Sequence, residues 1–341
     1  MTRPDGRLPG RVVRLLQILV AAGLLALLWR AADGPEAARS LAAADWRWLA
    51  LALLALTAQT VLSALRWKLT ARQLGITLAA RQAIGEYYLS QVVNQSLPGG
   101  MIGDAGRAVR SRDQAGLIAA GQAVVFERLS GQIAMFAILA AAFVATLSVP
   151  GGLDWPAWLA APVTMLLAAG FCLPLLALAA TQLPGAAGRT VRHVRGALYT
   201  ALVARPALAG QILLSLGTTF CNLAAFAFCA RALGVELSLA AIAALVPLIL
   251  FTMLIPISVS GWGLREGAAA ALLPVAGVTA SDGLATSVAF GVTLVAAVLP
   301  GFLLLWLGPR AEAHETGQMP SSGREGTRRR AVSACLSQEQ L

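Results

Sequence analysis

Charge is what this sequence has least of. Only 12% of its 341 residues are Asp, Glu, Lys or Arg, while 58% are hydrophobic. Soluble domains carry roughly 25% charged residues, so this composition excludes an ordinary soluble protein. Apolar runs of about twenty residues recur as far as residue 308, and each is long enough to cross a bilayer as a helix. We therefore predict an all-α, polytopic membrane protein.

Histidine and cysteine are also scarce, which limits the chemistry available. The two histidines, His193 and His314, fall in a basic loop and a polar tail, so the predicted membrane core has none for a metal or a Ser-His pair. The four cysteines form no C-x-x-C motif. The sequence contains no Gly-x4-Gly-Lys-Ser/Thr motif either, so ATP is not expected to act directly. We predict no metal, no cofactor and no catalytic residue.

Basic residues are present in excess, with a net charge of +10. They lie in short loops and at the termini, as membrane topology predicts, and we therefore expect no nucleic-acid partner. Six full spans are predicted, at residues 12–30, 48–65, 117–149, 157–181, 207–230 and 283–308. Two further apolar segments, 83–97 and 240–276, contain or adjoin Pro/Gly breaks.

The positive-inside rule suggests how these two segments thread. If each enters and leaves by the same face, about 20 of the 26 basic residues are cytoplasmic. We predict six spans plus two re-entrant or broken helices from opposite faces, as an inverted repeat produces; a full span at either place is the alternative. Residues 66–81 then form a cytoplasmic loop that includes Arg66. Residues 182–206 form the longest cytoplasmic loop, with an amphipathic surface helix as one interpretation. We predict that both termini are cytoplasmic, in a bacterial-type inner membrane.

The two breaks share the spacing P-x4-G-x3-R, at residues 98–107 and 256–265. Within lipid every backbone polar group needs a partner, so such breaks are tolerated only inside protein or beside water. Matched breaks in the two halves of a chain are typical of a transporter-type site. The residues predicted to form the breaks are Pro98, Gly99, Gly100, Gly103, Pro256, Gly261 and Gly263.

Charged residues accompany the breaks and also lie deep in the predicted span 117–149. Glu127 and Arg128 diverge by roughly 100° on a helix, so each is expected to find its partner elsewhere. For Glu127 the candidates are Arg107 and Arg265. For Arg128 the candidates are Glu86 and Glu266. These residues form a structural ion-pair network that locks the two halves together, and the same network is also a candidate for the gate. Arg107 either pairs with Asp104 or binds a phosphate.

A polar face precedes the first break. Glu86, Ser90 and Asn94 recur every four residues, and Tyr87, Gln91 and Gln95 form the adjacent stripe. Such a face either lines a cavity or bonds to neighbouring helices. Predicted to bind substrate are Arg107, Arg128, Arg265, Asn94, Ser258 and Ser260. Predicted to compensate charge or to couple protons are Glu86, Asp104, Glu127 and Glu266.

The order of these motifs resembles a known family. The motifs, in order, are Arg66-Trp67, Asn94-x3-Pro98-Gly-Gly-x2-Gly103-Asp104-x2-Arg107, Glu127-Arg128 and Pro256-x4-Gly261-x-Gly263-x-Arg265-Glu266. Together they look like the flippase-like transmembrane domain of lysylphosphatidylglycerol synthases. The resemblance covers roughly residues 10–310. It implies a helical membrane domain at 1–310, with re-entrant elements and a link to moving aminoacylated phosphatidylglycerol between leaflets. A soluble aminoacyl-transferase domain is not expected in this stand-alone member, and neither is lysyl transfer.

Residues 311–341 are expected to form a disordered cytoplasmic tail. The leading hypothesis is a lipid translocator for an anionic or aminoacylated phospholipid or a polyprenyl-linked headgroup. Its partners would be membrane lipids and a separate lipid-synthesising enzyme. One alternative is an intramembrane transferase that uses a lipid-linked donor, with Asp104, Glu127 or Glu266 as base. The other is a structural or assembly protein, in which the ion pairs only hold the fold.

Overall fold

A computed structural model describes residues 34–96, 101–148, 153–255 and 260–307. Within these ranges the chain is helical and contains no strand. The predicted first span, 12–30, and the tail, 311–341, lie outside the described residues. So do five of the residues singled out at the breaks, namely Pro98, Gly99, Gly100, Pro256 and Ser258.

Eleven α-helices occupy the described ranges. They are α1 (Gly34–Ala42), α2 (Trp46–Gln73), α3 (Ala80–Ser96), α4 (Ile102–Arg110), α5 (Gly116–Ser148), α6 (Ala157–Ala180), α7 (Gly185–Leu198), α8 (Arg205–Ala232), α9 (Leu239–Phe251), α10 (Leu264–Leu272) and α11 (Ala280–Leu307). A π-helical turn follows α7, and single 3₁₀ turns follow α9 and α10. Asp45 caps α2 by accepting from the Arg47 N–H, and Ser238 caps α9 by accepting from the Ala241 N–H.

Five of these helices are long and apolar enough to cross a membrane: α2, α5, α6, α8 and α11. They coincide with five of the six predicted spans, and the all-α polytopic fold is confirmed. Their interfaces use small residues such as Ala52, Ala64 and Ala225, all fully buried, which let helix backbones approach closely. Larger side chains, including Phe226 and Phe290 with ring centroids 5.6 Å apart, fill the space between them.

The loop predicted at 66–81 is wrong over its first half, whereas its cytoplasmic placement stays a prediction. α2 continues to Gln73, and Arg66 is only 5% exposed inside the bundle. The helix can continue through a charged residue because Arg66 meets a carboxylate on α5, as described below. In the predicted loop 182–206, α7 spans Gly185–Leu198 and exposes Arg189, Arg192 and Arg195. The helix is confirmed, and its contact with anionic lipid stays a prediction.

The first break lies between two helices that pack against each other in antiparallel fashion. The contacts that join α3 to α4 are Glu86 to Arg110 at 2.6 Å, Ser90 to Asp104 at 2.9 Å, and Asn94 to the Gly103 N–H at 2.8 Å. A Cβ on Gly103 would lie 2.1 Å from the Ser90 carbonyl oxygen, so only glycine permits this approach. α3 and α4 therefore form a hairpin, the first hairpin, joined through residues 97–100.

The second break has the same organisation. α9 and its 3₁₀ turn precede residues 256–259, and α10 then packs back against α9. Ser260 (φ 51°) and Gly261 (φ 81°) adopt left-handed backbone conformations at the start of the returning segment. The Ser260 hydroxyl donates a hydrogen bond to the Gln95 side chain in the last turn of α3. The first hairpin and this second hairpin therefore meet end to end.

Candidate functional site

A buried ion-pair network lies beside the first hairpin, centred on Glu127 of α5. Glu127 is fully buried. Its Oε1 accepts from Arg66 Nη2 at 2.7 Å and from the Tyr87 hydroxyl at 3.3 Å. Its Oε2 accepts from Arg107 Nη2 at 3.3 Å. Arg66 also donates to Thr218 Oγ1 at 2.8 Å, so the network joins α2, α3, α4, α5 and α8. The predicted partner Arg107 is confirmed, whereas Arg66 is an addition that the sequence interpretation missed.

Arg107 is enclosed on every side. Its guanidinium lies between the rings of Trp67 and Tyr87, at 4.6 and 4.5 Å from their centroids. Its Nη2 also pairs with Asp104 Oδ1 at 3.0 Å, which is the local pairing anticipated as an alternative to phosphate binding. The residue is 0% exposed. Its Nε and Nη1 have no hydrogen-bond partner among the described residues. Since the guanidinium is fully enclosed by two aromatic faces and two carboxylates, this placement favours a structural role for Arg107 over contact with a ligand.

Arg128 differs from Arg107 in its exposure. Its Nη2 pairs with Asp104 Oδ2, but 38% of its side chain is exposed. The predicted partners, Glu86 and Glu266, are wrong. Glu86 is held by Arg110 at the outer end of the first hairpin, and Glu266 belongs to the second hairpin. Asp104 takes their place because packing of α4 against α5 brings it to Arg128.

The second hairpin carries its own buried pair. Arg265 Nη2 lies 2.5 Å from Glu266 Oε1, and Glu266 Oε2 accepts from the Gly263 N–H at 2.6 Å. The Arg265 guanidinium lies between the rings of Trp262 and Phe290, 5.2 and 5.4 Å from their centroids. Each break is thus followed by a short helix that carries a buried arginine between two aromatic rings. The shared spacing P-x4-G-x3-R has a structural counterpart in both halves.

A cavity of about 230 Å³ opens where the two hairpins meet. Helices α2, α3, α5, α8, α9 and α11 and the segments that flank the second break surround it. Its polar lining consists of Gln59, Gln91, Asn94, Gln95, Arg128, Gln132, Asn222 and Ser260. Its apolar lining consists of Met135, Leu250, Phe251, Met253, Leu254, Phe290 and Leu294. We call this space the central cavity.

A smaller cavity of about 120 Å³ adjoins the central cavity. Arg128 and Gln132 line both of them, while Arg66 and Glu127 line only the smaller one. Arg128 therefore lies between the ion-pair network and the central cavity, with its charge available to both. The Arg128 guanidinium is therefore held by Asp104 on one side and faces the open central cavity on the other.

Two hydrogen-bond donors of the central cavity have no partner among the described residues. Asn94 is 8% exposed, and its Oδ1 accepts from the Gly103 N–H, which leaves its Nδ2 unpaired. The Nε of Arg128 is likewise buried and unpaired. Buried donors without partners are costly, and both belong to side chains that line the central cavity. A guanidinium with neighbouring amide N–H groups is suited to a phosphate.

The structure divides the predicted substrate-binding residues into two groups. Asn94, Arg128 and Ser260 come together in the central cavity. Arg107 and Arg265 line neither cavity within the described part of the chain. The polar face of α3 serves both functions considered for it, because Asn94 lines the cavity while Ser90 bonds to α4.

Three lining residues were not predicted. Gln59, Gln132 and Asn222 each place a carboxamide inside a predicted span. A polar side chain in a membrane helix signals a bundle interior or a cavity, so these residues were detectable. Gln132 also follows Arg128 by one helical turn, which was a second signal.

Five apolar spanning helices, two hairpins that meet and a polar cavity between them define a multi-pass membrane protein with a central polar site. The chain matches the family model described as the lysylphosphatidylglycerol synthase TM region over residues 14–301. It belongs to that family, which places it among membrane proteins of lipid metabolism or translocation. Comparison with curated proteins gives no match.

Proposed function

We propose that this protein moves a lipid between the leaflets of a bacterial-type inner membrane, with the lipid headgroup in the central cavity and its phosphate at Arg128. The observation that carries this proposal is the position of Arg128. It is the one charged side chain that lines the central cavity among the described residues.

The cavity supplies what a headgroup needs inside a bilayer. A polar group that leaves water must regain its hydrogen bonds or bear a cost of several kcal/mol. Carboxamides on α2, α3, α5 and α8 face the cavity, and each offers both donors and an acceptor. The apolar side of the lining, which includes Leu250 and Leu294, suits the start of the acyl or prenyl chains.

The buried network supports this role by fixing Arg128. Asp104 pairs with both Arg107 and Arg128, and Arg107 in turn pairs with Glu127. A held guanidinium loses little conformational freedom when it binds a phosphate. Since the sequence lacks a Walker A motif, we propose passive exchange or ion coupling as the driving force.

The same pairings favour transport over an intramembrane transferase. The three carboxylates considered as catalytic bases are Asp104, Glu127 and Glu266, and each is paired with at least one arginine. Guanidinium N–H donors already occupy oxygens of each carboxylate, which leaves it less free to take a proton from a substrate. We therefore propose that the protein is not an enzyme and that a separate enzyme makes the lipid it moves.

Leaflet exchange in proteoliposomes tests the proposal. Lipids carrying a fluorophore on an acyl chain are incorporated with the purified protein, and dithionite then bleaches those that reach the outer leaflet. We expect exchange well above protein-free vesicles. Arg128→Gln is expected to slow it at least tenfold, since a charge-assisted hydrogen bond contributes about 1.5–3 kcal/mol.

The matched control is Arg110→Gln, which removes a guanidinium from a partly exposed pair with Glu86 away from the cavity. This variant is expected to exchange lipids at the wild-type rate. Absence of exchange with the wild-type protein across several headgroups would overturn the proposal. A folded Arg128→Gln variant that exchanges lipids as fast as Arg110→Gln would show that Arg128 is not the phosphate-binding residue.

A further inference from the structure

We infer that the central cavity selects headgroups that combine a phosphate with uncharged hydroxyl groups, and that it disfavours headgroups carrying an amine cation. This inference rests on the proposed function and deepens it by naming the substrate class. It runs against the aminoacylated lipid that the family name suggests, and it comes from the charges and hydrogen-bonding groups that line the cavity.

The lining is rich in carboxamides and poor in charge. Six carboxamide side chains face the central cavity, together with one hydroxyl and one guanidinium among the described residues. They are Gln59, Gln91, Asn94, Gln95, Gln132 and Asn222, with Ser260 and Arg128. Carboxamides donate and accept hydrogen bonds, which matches hydroxyl groups that do the same. An ammonium group only donates, and it competes with Arg128 for the carbonyl oxygens.

No carboxylate of the described chain lines the central cavity. The two nearest on the network side, Asp104 and Glu127, are already paired with arginines. Asp104 contacts Arg107 and Arg128, and Glu127 contacts Arg66 and Arg107. An ammonium on a bound headgroup would have to displace one of these guanidiniums to gain a counterion. It would do so beside Arg128, whose charge has the same sign.

The residues at the hairpin ends that the structure does not describe add no carboxylate. Residues 97–100 read Leu-Pro-Gly-Gly and residues 256–259 read Pro-Ile-Ser-Val, so neither segment contains an acidic residue. The predicted first span, 12–30, contains none either. These three segments therefore contribute no negative charge.

The favoured chemistry is found in two kinds of lipid. In phosphatidylglycerol and phosphatidylinositol, a phosphate and hydroxyl groups are attached to a diacylglycerol. In a polyprenyl-phosphate sugar, the same groups are attached to an isoprenoid chain. The common feature is a phosphate next to several hydroxyl groups. A headgroup of this kind places its phosphate at Arg128 and its hydroxyls against the carboxamides. Lysylphosphatidylglycerol adds ammonium groups to the same phosphate and serves as the contrasting probe.

The test compares exchange rates of four fluorescent lipids in proteoliposomes containing the full chain: phosphatidylglycerol, phosphatidylinositol, lysylphosphatidylglycerol and a polyprenyl-phosphate sugar. We expect at least one hydroxyl-bearing phospholipid or the polyprenyl lipid to exchange at least tenfold faster than lysylphosphatidylglycerol. Which of them is faster distinguishes the two lipid sources. Lysylphosphatidylglycerol exchange equal to or faster than all the others would overturn the inference while leaving the proposed function standing. No exchange of any lipid would overturn the proposed function itself.

A carboxylate introduced into the cavity provides a second test. Gln132→Glu places one a helical turn from Arg128, on a side chain that lines both cavities. The ratio of lysylphosphatidylglycerol to phosphatidylglycerol exchange is expected to rise at least tenfold. Gln82→Glu makes the same change on an exposed surface of α3 and should leave the ratio unaltered. Asn222→Asp repeats the cavity change on α8 if the first variant does not fold. An unchanged ratio in a folded cavity variant would count against the inference.

Discussion

Replacing Glu127 with glutamine removes the charge at the centre of the buried network. In the native protein this carboxylate compensates Arg66 at 2.7 Å and Arg107 at 3.3 Å. After the change, Arg107 keeps Asp104, whereas Arg66 has no carboxylate among the described residues. The amide retains one acceptor oxygen, so part of the hydrogen bonding survives, but the compensation of charge does not.

Removing one partner of a buried ion pair costs about 3–5 kcal/mol, because the remaining charge is left uncompensated. We expect Glu127→Gln to lie near the lower end, at about 3 kcal/mol, because its amide oxygen still accepts a hydrogen bond. The matched control is Glu86→Gln, which removes the carboxylate paired with Arg110. The side chains of Glu86 and Arg110 are 24% and 41% exposed, and an exposed ion pair contributes about 1 kcal/mol or less to the free energy of unfolding.

The measurement is the free energy of unfolding in mixed micelles, titrated with SDS and followed by tryptophan fluorescence. Both variants make the same chemical change, so their difference isolates the effect of burial. We expect Glu127→Gln to lose at least about 2 kcal/mol more than Glu86→Gln. Equal losses would refute the view that the network stabilises the fold by compensating buried charge.

Two further predictions concern the hairpins. Gly103→Ala places a Cβ 2.1 Å from a backbone carbonyl of α3 and should lower the melting temperature, whereas Gly121→Ala, with no atom within 4 Å, should leave it unchanged or raise it. Thermal unfolding with a thiol-reactive dye measures both, and equal shifts would contradict the close approach of α3 and α4. Cysteines replacing Gln95 and Ser260 in a background without the native cysteines should be joined by a short bifunctional thiol-reactive cross-linker, seen as a mobility shift on gels. The pair formed with a cysteine at Gln82 instead of Gln95 should not cross-link, and cross-linking of both pairs alike would contradict the end-to-end contact.

Hydropathy predicted the spanning helices closely, because a bilayer sets their length and composition. The predicted span 117–149 and the observed helix Gly116–Ser148 differ by one residue at each end. The two hairpins were also predictable, since Pro and Gly interrupt apolar runs at matched positions. The extent of α2 was not. A basic residue ordinarily indicates the end of a span, and nothing local to Arg66 reveals a carboxylate 61 residues away.

Partners within the site were harder to predict than its members. Asn94, Arg128 and Ser260 were correctly singled out as polar groups in apolar surroundings, and the structure brings them to one cavity. The predicted partners of Arg128 were wrong because ion pairing depends on how α4 and α5 are rotated about their axes. That rotation is set by helix packing, including the close approach of α3 and α4 that Gly103 permits. It cannot be predicted from the spacing of residues along the sequence.

The pairing of Arg66 with Glu127 has a consequence for how the protein is made. The arginine is synthesised 61 residues before its carboxylate, an interval of roughly 3–12 s at ~5–20 residues per second. During that interval α2 enters the membrane with a charge that costs about 2.5–3.5 kcal/mol at the centre of a helix. Arg66 lies seven residues from the end of α2, so it can reach the membrane surface while it waits. Because Glu127 on α5 is the carboxylate that pairs with Arg66, we expect Arg66 to take its buried position only after α5 has been synthesised.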